Sequence, residues 1–346
     1  MWKIRRVGHF AQIGDVFDRF VDEFLAWITT EPQVSYSMLE ERIYATDTPL
    51  CRVMRACPKL RNCAIELVLH PKREEVAAAY YEMLDKYTRL VDGTLHIECP
   101  NEIAADCFEY FYDELIETVS FRNEYLPNIS EETKRAFRRD FGMQIKSCPY
   151  CDLKYIPFHG DTSIDHFLTK TKVQLLAIHS ENLVTSCTAC NDRLKNQQLI
   201  LPMVHPFLYQ AADKINIRFQ LTLPPYEINL VVTETDTFEK TRLTNYFALF
   251  DLQAQYKERT DKMLGERQDI RREVVHSYKS AALPKPVLRH RVSDMLDSVL
   301  ASRRERWRKL KGRQEFVKLY LDYYAYLQTP NIRSRLLQYI ISELEN

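Results

Sequence analysis

Four cysteines form the pattern with the clearest chemical meaning in this sequence. They occur as two pairs with CxxC spacing, Cys148 with Cys151 and Cys187 with Cys190. A CxxC turn directs both sulfur atoms at one ion, and two such turns complete the tetrahedral thiolate set that zinc accepts. Because four thiolates leave no open position for a substrate, the spacing predicts a structural zinc ion. Reduced core cysteines or redox pairs are the alternatives.

Polar side chains between and just after these pairs have the chemistry needed to hydrolyse a phosphodiester bond. Asp165 and His166 are adjacent, and Asn191 directly follows the last cysteine. A divalent ion stabilises the leaving oxygen, and Mg²⁺ accepts one carboxylate and one amide oxygen because it keeps several waters. A neutral imidazole is a suitable base near neutral pH. Adjacent strand residues point to opposite faces, so Asp165 and His166 could serve the metal and the attacking water separately.

Residues 148–195 resemble the HNH endonucleases that carry a four-cysteine zinc site, whose fold is a ββα-metal module. The resemblance rests on CPYC, then IDHFL, then ENLV and finally CTACN. It implies that Asp165 and Asn191 bind the catalytic Mg²⁺ or Mn²⁺ and that His166 is the general base. It also implies that Asn182 bonds the loop backbone and so maintains the shape of the module.

Two lysines and two differences from the family pattern lie where the resemblance places contacts with the substrate. Lys170 and Lys195 match positions that are commonly basic in the family, which implies contact with phosphate. Thr169 stands where many relatives have proline, and Val173-Gln174 replaces the usual Tyr-Pro; neither change touches a metal or base position. The step His205-Pro206-Phe207 is similar to one in HNH nucleases of bacterial anti-phage systems that act beside a separate ABC-type ATPase.

Taken together, the resemblance implies a metal-dependent endonuclease acting on DNA, as a regulated effector in bacterial or phage defence. A regulatory protein such as an ATPase and a second copy of the chain are the candidate protein partners. The alternative function is a non-catalytic, zinc-containing module for nucleic-acid binding or assembly. Binding alone does not require Asp165, His166 and Asn191, so these three residues favour the enzyme.

A strongly basic run near the C-terminal end is the second feature that suggests nucleic acid. Each phosphate that a basic side chain neutralises adds salt-dependent affinity through counterion release. The alternative is a solvated helix with Trp307 and Leu310 on its apolar side. The candidates for nucleic-acid contact in this run are Arg303, Arg304, Arg306, Arg308, Lys309, Lys311 and Arg313.

Composition excludes several classes of protein. The chain has 346 residues, of which 45% are hydrophobic and 28% charged, with a net charge of zero. These values are ordinary for a globular protein and exclude disordered and collagen-like chains. The N-terminal residues lack the pattern of a signal peptide, and no apolar stretch is long enough to cross a bilayer, so we expect a cytoplasmic protein without a membrane partner. Nine cysteines in such a chain favour reduced thiols or a metal site over disulfides.

Charge is distributed unevenly along the chain. Residues 1–140 carry 18 basic and 25 acidic side chains, whereas residues 201–346 carry 24 and 18. The most acidic stretch spans residues 92–117 and contains no lysine or arginine. It is either a solvated helix face, a docking surface for a basic partner, or a segment that occludes the basic C-terminal half.

Hydrophobic periodicity predicts the elements that must position these residues. Apolar residues at three- and four-residue steps predict helices over 13–30 and 101–119, and Ser130 is expected to cap a helix over 131–141. Alternation on both sides of Pro224-Pro225 predicts a β-hairpin.

The predicted fold class is mainly α with a small α+β insert. A helical N-terminal region spans residues 1–141. The zinc-containing ββα-metal module spans residues 142–205 and so lies between helical regions. A β-hairpin and a basic helical C-terminal region span residues 206–346.

Overall fold

The structure is a computed structural model that describes residues 1–156, 161–281, 288–311 and 313–345. Within these ranges the chain is mainly helical and contains two small antiparallel sheets, which confirms the predicted balance of elements. It divides into two compact units. The N-terminal unit comprises Lys3–Tyr150 and Ile156–Tyr209. The C-terminal unit comprises Met1–Trp2, Cys151–Tyr155 and the described residues from Gln210 onward.

Nine α-helices and one short 3₁₀ helix, Leu115–Glu117, precede the first strand among the described residues of the N-terminal unit. Helix α1 buries a row of aromatic rings, as the predicted helix over 13–30 requires, and begins four residues earlier at His9. Phe20 of α1 packs edge-on against Phe111 and Phe121 at centroid distances of 5.1 and 5.2 Å, so this helix forms the centre of the core. The helices are α1 (His9–Thr30), α2 (Tyr36–Ala45), α3 (Pro49–Ala56), α4 (Pro58–Leu69), α5 (Arg73–Asp85), α6 (Tyr87–Val91), α7 (Glu102–Asp113), α8 (Val119–Tyr125) and α9 (Thr133–Gln144).

The N-termini of α7 and α9 are capped in different ways. The Asn101 side chain accepts a hydrogen bond of 2.7 Å from the backbone N–H of Ala104 at the start of α7. The predicted Ser130 cap of α9 is wrong. The two carboxylate oxygens of Glu117 instead accept from the backbone N–H groups of Thr133 and Lys134, each at 2.8 Å. A side chain from a neighbouring segment therefore satisfies the donors that a local residue was expected to satisfy.

The first sheet belongs to the N-terminal unit. Strands β1 (Thr162–His166) and β2 (Leu183–Cys187) are antiparallel, with Asp165 opposite Val184 and His166 opposite Leu183. All five residues of β2 are buried. A short π-helical segment, Ala189–Lys195, follows β2 and packs against both strands, as does α9.

The second sheet belongs to the C-terminal unit. Strands β3 (Ile215–Gln220) and β4 (Glu227–Val232) pair antiparallel, which confirms the predicted hairpin, and β3 alternates strictly between buried and exposed residues. No helix among the described residues is both long and apolar enough to cross a membrane. The helices of this unit are α10 (Thr237–Leu249), α11 (Leu252–Lys257), α12 (Thr260–Ser280), α13 (Leu288–Lys309), α14 (Val317–Leu327) and α15 (Pro330–Glu345).

Candidate functional site

The four cysteines of the two CxxC pairs form a buried cluster. The sulfur atoms of Cys148, Cys151, Cys187 and Cys190 all lie within 4.8 Å of one another. A tetrahedral ion bound at about 2.3 Å from each sulfur requires sulfurs about 3.8 Å apart. The donors therefore fit a metal ion such as zinc in both type and spacing, and four thiolates would close its coordination sphere.

The residues that the sequence suggested for hydrolysis line one small pocket. It has a volume of about 250 Å³, and its walls include Asp165, His166, Lys170 and Asn191. Strand β1 supplies Asp165 and His166 from its last two positions. The π-helical segment supplies Asn191. The ββα order of these elements thus brings side chains from both ends of the motif to one place.

His166 is held in a defined orientation and tautomer. Its Nε2 lies 2.8 Å from the carbonyl oxygen of Ala177. Because a carbonyl only accepts hydrogen bonds, Nε2 carries the proton and Nδ1 keeps its lone pair. Burial lowers the pKa of His166 to about 3, so the ring is neutral at neutral pH and its Nδ1 carries a lone pair.

Asp165 is buried and receives two hydrogen bonds. The Tyr150 hydroxyl donates to Oδ2 at 2.5 Å, and the Lys195 ammonium donates to Oδ1 at 2.6 Å. Burial raises the pKa of the Tyr150 hydroxyl well above its usual value, so this group stays protonated and acts as a donor. Lys195 also donates to the carbonyl oxygen of His166 at 2.7 Å.

Lys195 was expected to contact phosphate, but its ammonium group is buried in the structure. The side chain of Lys195 is 0% exposed and that of Asp165 is 2% exposed, so the two form a buried ion pair. Such a pair neutralises much of the carboxylate charge and fixes the end of β1 against the π-helical segment.

Asn191 presents an amide oxygen to the pocket. Its Nδ2 donates to Ser163 Oγ at 2.8 Å and, more weakly, to the carbonyl oxygen of Ile164 at 3.4 Å. These bonds assign the orientation of the amide, and Oδ1 accepts no hydrogen bond from the described residues. Asp165 and Asn191 therefore offer the carboxylate and amide oxygens that a hard divalent ion prefers.

The donor types thus fit a divalent ion, although the Lys195 charge competes with it for the Asp165 carboxylate. An ammonium 2.6 Å from Oδ1 already supplies the positive charge that this buried group needs. A second cation would therefore bind less tightly than to an unpaired carboxylate.

Asn182 ties the loop after β1 to the segment before β2. It is fully buried, and its Nδ2 donates to the carbonyl oxygens of Leu168 and Leu176 at 3.0 and 3.2 Å. Its Oδ1 accepts from the backbone N–H of Leu168 at 2.7 Å. The Tyr87 hydroxyl also lies 3.3 Å from Oδ1. These bonds give the side chain a structural role in shaping the pocket wall.

Helix α1 holds the same segment from the other side. Asp18 accepts hydrogen bonds from the backbone N–H of Ser180 at 3.1 Å and pairs with His179 Nδ1 at 2.9 Å. A Cβ at Gly14 would lie 2.7 Å from the Cβ of Ser180, so only glycine permits this close approach of α1. The N-terminal helices therefore support the site directly.

Helix α7 contributes two residues to the site that the sequence did not suggest. The ring of Tyr112 packs edge-on against His166 with centroids 4.2 Å apart. Asp113 accepts from the Lys170 ammonium with both carboxylate oxygens, at 2.5 Å each. Part of the acidic stretch is thus engaged with the pocket. Tyr112 and Asp113 precede the motif by dozens of residues, so no local pattern indicates that they belong to the site. Tyr150, which bonds Asp165, lies within the CPYC segment, so the motif itself points to that residue.

The basic run of the C-terminal unit lies largely on α13, and its side chains differ in their surroundings. Arg303 pairs with Glu266 and Glu273 at 2.5 Å, and Arg304 donates to Gln328 at 3.0 Å. Trp307 stacks on Tyr320 with centroids 4.0 Å apart, so the apolar side of the helix is packed as expected. The exposed basic side chains are those of Arg306, Arg308, Lys309, Lys311 and Arg313.

Compared with models of protein families, with curated proteins and with solved structures, the chain matches none of them. The likeness of residues 148–195 to HNH endonucleases accordingly rests on the motif alone. The function must then be inferred from the chemistry of the pocket and of the cysteine cluster. The cluster can hold a metal ion, and the pocket combines a neutral imidazole with carboxylate and amide oxygens.

Proposed function

We propose that the chain is a metal-dependent endonuclease of the HNH type that hydrolyses phosphodiester bonds of DNA. The observation that carries the proposal is the single pocket lined by Asp165, His166 and Asn191. A structural zinc ion on the four cysteines would hold the turns on either side of this pocket.

His166 is the general base in this proposal. Its Nδ1 accepts a proton from water while Nε2 remains bonded to the carbonyl oxygen of Ala177. Base catalysis of this kind contributes about 10²–10⁴-fold to the rate. The Tyr112 ring restricts the imidazole to one orientation, which keeps Nδ1 available to a water in the pocket.

Asp165 and Asn191 would hold Mg²⁺ or Mn²⁺ through a carboxylate oxygen and Oδ1. When bound, such an ion supplies Lewis-acid stabilisation of the negative charge that develops on phosphate oxygens. Tyr150 fixes the Asp165 carboxylate through its 2.5 Å hydrogen bond. Ser163 fixes the Asn191 amide at 2.8 Å.

DNA is the proposed substrate because exposed cations are available to bind phosphates. Arg306, Lys309 and Arg313 are exposed and form no ion pairs with the described residues. Contacts of this type are independent of sequence and weaken as salt is added. Specificity for a base sequence is not part of the proposal.

A plasmid-nicking assay at low salt tests the proposal with wild type, His166→Ala and His96→Ala in Mg²⁺, Mn²⁺ and EDTA. His96 is largely exposed and distant in sequence from the motif, so His96→Ala is the matched control. We expect metal-dependent nicking by wild type and control, and a loss of about 10²–10⁴-fold in His166→Ala. Equal cleavage by His166→Ala and the control would refute the mechanism.

The second candidate function is a zinc-containing module that binds or assembles on nucleic acid without cleaving it. The buried Lys195–Asp165 pair favours this candidate, because it satisfies the carboxylate without a catalytic ion. A gel-shift assay distinguishes the two candidates. DNA binding that persists in EDTA, combined with no cleavage of DNA or RNA in any divalent ion, would support the binding module and contradict the enzyme.

A further inference from the structure

A second pocket is built entirely from residues of the C-terminal unit. Its volume is about 310 Å³, which is within the range of pockets that bind small molecules. Helix α12 contributes Arg267 and Arg271, and α15 contributes Arg335 and Tyr339. None of the residues that take part in the proposed cleavage belongs to this pocket, so the inference does not depend on the nuclease proposal.

The pocket carries more positive charge than its surroundings neutralise. Arg271 pairs with Glu343 at 3.1 Å. Arg267 donates to the neutral carbonyl oxygen of Leu221 at 2.6 Å, and Arg335 forms no ion pair within the described part of the chain. Three guanidinium groups therefore face one carboxylate. A guanidinium has five N–H donors in a planar fork that matches phosphate oxygens, so an anion of this type would relieve the repulsion.

One wall of the same pocket is apolar and partly aromatic. Leu327, Ile332 and Leu336 line it together with the ring of Tyr339. The Tyr339 side chain is 57% exposed, although Arg271 lies over its ring at 5.1 Å and donates to its hydroxyl at 2.7 Å. An exposed, tethered aromatic ring beside guanidinium groups can stack on a flat ligand ring.

We propose that this pocket binds a nucleotide, with the phosphate at Arg267 and Arg335 and the base against Tyr339. A nucleotide combines the two chemistries that the walls require, an anion and a flat aromatic ring that can stack. Its source is either a free mononucleotide or the 5′-phosphorylated end of a nucleic-acid strand. Both present the same group to the arginines.

Isothermal titration of the full-length protein at about 150 mM salt, where exposed charges are screened, tests the site. The probes are AMP, adenosine and inorganic phosphate. We expect AMP to bind at least about tenfold more tightly than either fragment, because it uses both walls. Arg335→Gln should weaken the binding of AMP about tenfold or more, as expected for a lost charge-assisted contact. Tyr339→Leu should weaken the binding of AMP and leave the affinity for inorganic phosphate unchanged.

Arg272→Gln is the matched control, because Arg272 lies on the same helix, is exposed and pairs with Asp269 on that helix. His166→Ala should bind AMP like wild type.

An oligonucleotide with a 5′-phosphate, compared with the same strand bearing a 5′-hydroxyl, identifies whether the bound nucleotide is free or is the end of a strand. A preference for the phosphorylated strand that Arg335→Gln abolishes indicates a strand end, and AMP binding without such a preference indicates a free nucleotide. The proposal would be overturned if neither AMP nor the 5′-phosphorylated oligonucleotide bound, or if Arg335→Gln and Arg272→Gln lowered the affinity for AMP equally.

Discussion

The pocket around Asp165 and the basic run on α13 differ in the burial and hydrogen bonding of their polar side chains. Asp165 is buried and bonded to Tyr150 and Lys195 at 2.5 and 2.6 Å. Arg306 and Lys309 are exposed and form no ion pairs with the described residues. The first region holds its groups through buried hydrogen bonds, whereas the second leaves long basic side chains exposed to solvent.

This difference shows which property each region can supply. Chemistry at one phosphate requires groups held in place, because a small displacement of a base or ligand lowers the rate strongly. Affinity for a polyanion requires only charge near the surface, and it survives motion of the side chains. Substitutions in the pocket should therefore change stability or turnover, whereas substitutions of the exposed cations on α13 should change the salt dependence of binding.

Loss of a cysteine ligand should have the largest effect. Cys190→Ser removes one of the four thiolates, and we expect the free energy of unfolding to fall by at least about 5 kcal/mol, since structural zinc sites contribute roughly 10–16 kcal/mol. Cys99→Ser, at a half-buried cysteine outside the cluster, is the control. Thermal unfolding measures the stability of each variant, and atomic absorption measures its zinc content. A Cys190→Ser protein with full zinc content and unchanged stability would show that the cluster is not a metal site.

Breaking the buried ion pair should come next. Lys195→Met leaves the Asp165 carboxylate buried without its counter-charge, which costs about 3–5 kcal/mol of stability. Mn²⁺ should restore part of that stability, because the unpaired carboxylate then attracts a cation. The double variant Lys195→Met/Asp165→Asn should not respond to Mn²⁺. Equal Mn²⁺ responses in the two variants, measured by thermal unfolding, would remove Asp165 from the metal site.

Asn182→Ala should destabilise the protein by about 2–4 kcal/mol, because it removes the hydrogen bonds from Asn182 to the buried backbone N–H and carbonyl groups of Leu168. The Leu176 carbonyl loses one bond but still accepts from the backbone N–H of His179. Asn123→Ala is the control, since Asn123 is exposed on α8. Urea unfolding measures both variants. A change no larger than that of the control would mean that the loop does not depend on this amide.

The smallest effect on stability is expected for the exposed cations. The triple variant Arg306→Gln/Lys309→Gln/Arg313→Gln should unfold like wild type, but the slope of log affinity against log salt should become shallower by about 2.7 for duplex DNA. A triple variant of three exposed lysines, Lys240, Lys257 and Lys279, changes the net charge equally and is the control. Equal slopes for both triple variants would show that net charge alone, and not this surface, accounts for binding.

Local patterns predicted the elements well where each element is stabilised by its own residues. The helical periodicity after residue 13 and the alternation around Pro224-Pro225 correspond to α1 and to the β3–β4 hairpin. The cap of α9 was predicted incorrectly. Ser130 is adjacent in sequence, but the Glu117 carboxylate reaches the free N–H groups from another segment. Sequence patterns identify an available donor or acceptor, and tertiary packing decides which partner it finds.

The same division applies to the candidate site. The sequence alone determined the cysteine spacing, the adjacent Asp165 and His166 and the helical or strand character around them, because these depend on covalent spacing and short-range periodicity. Only the tertiary structure decided that Lys195 pairs with Asp165 inside the protein and that Tyr112 packs on His166. Such contacts join residues far apart in the chain, and the packing of α7 and the π-helical segment against β1 sets which side chains meet.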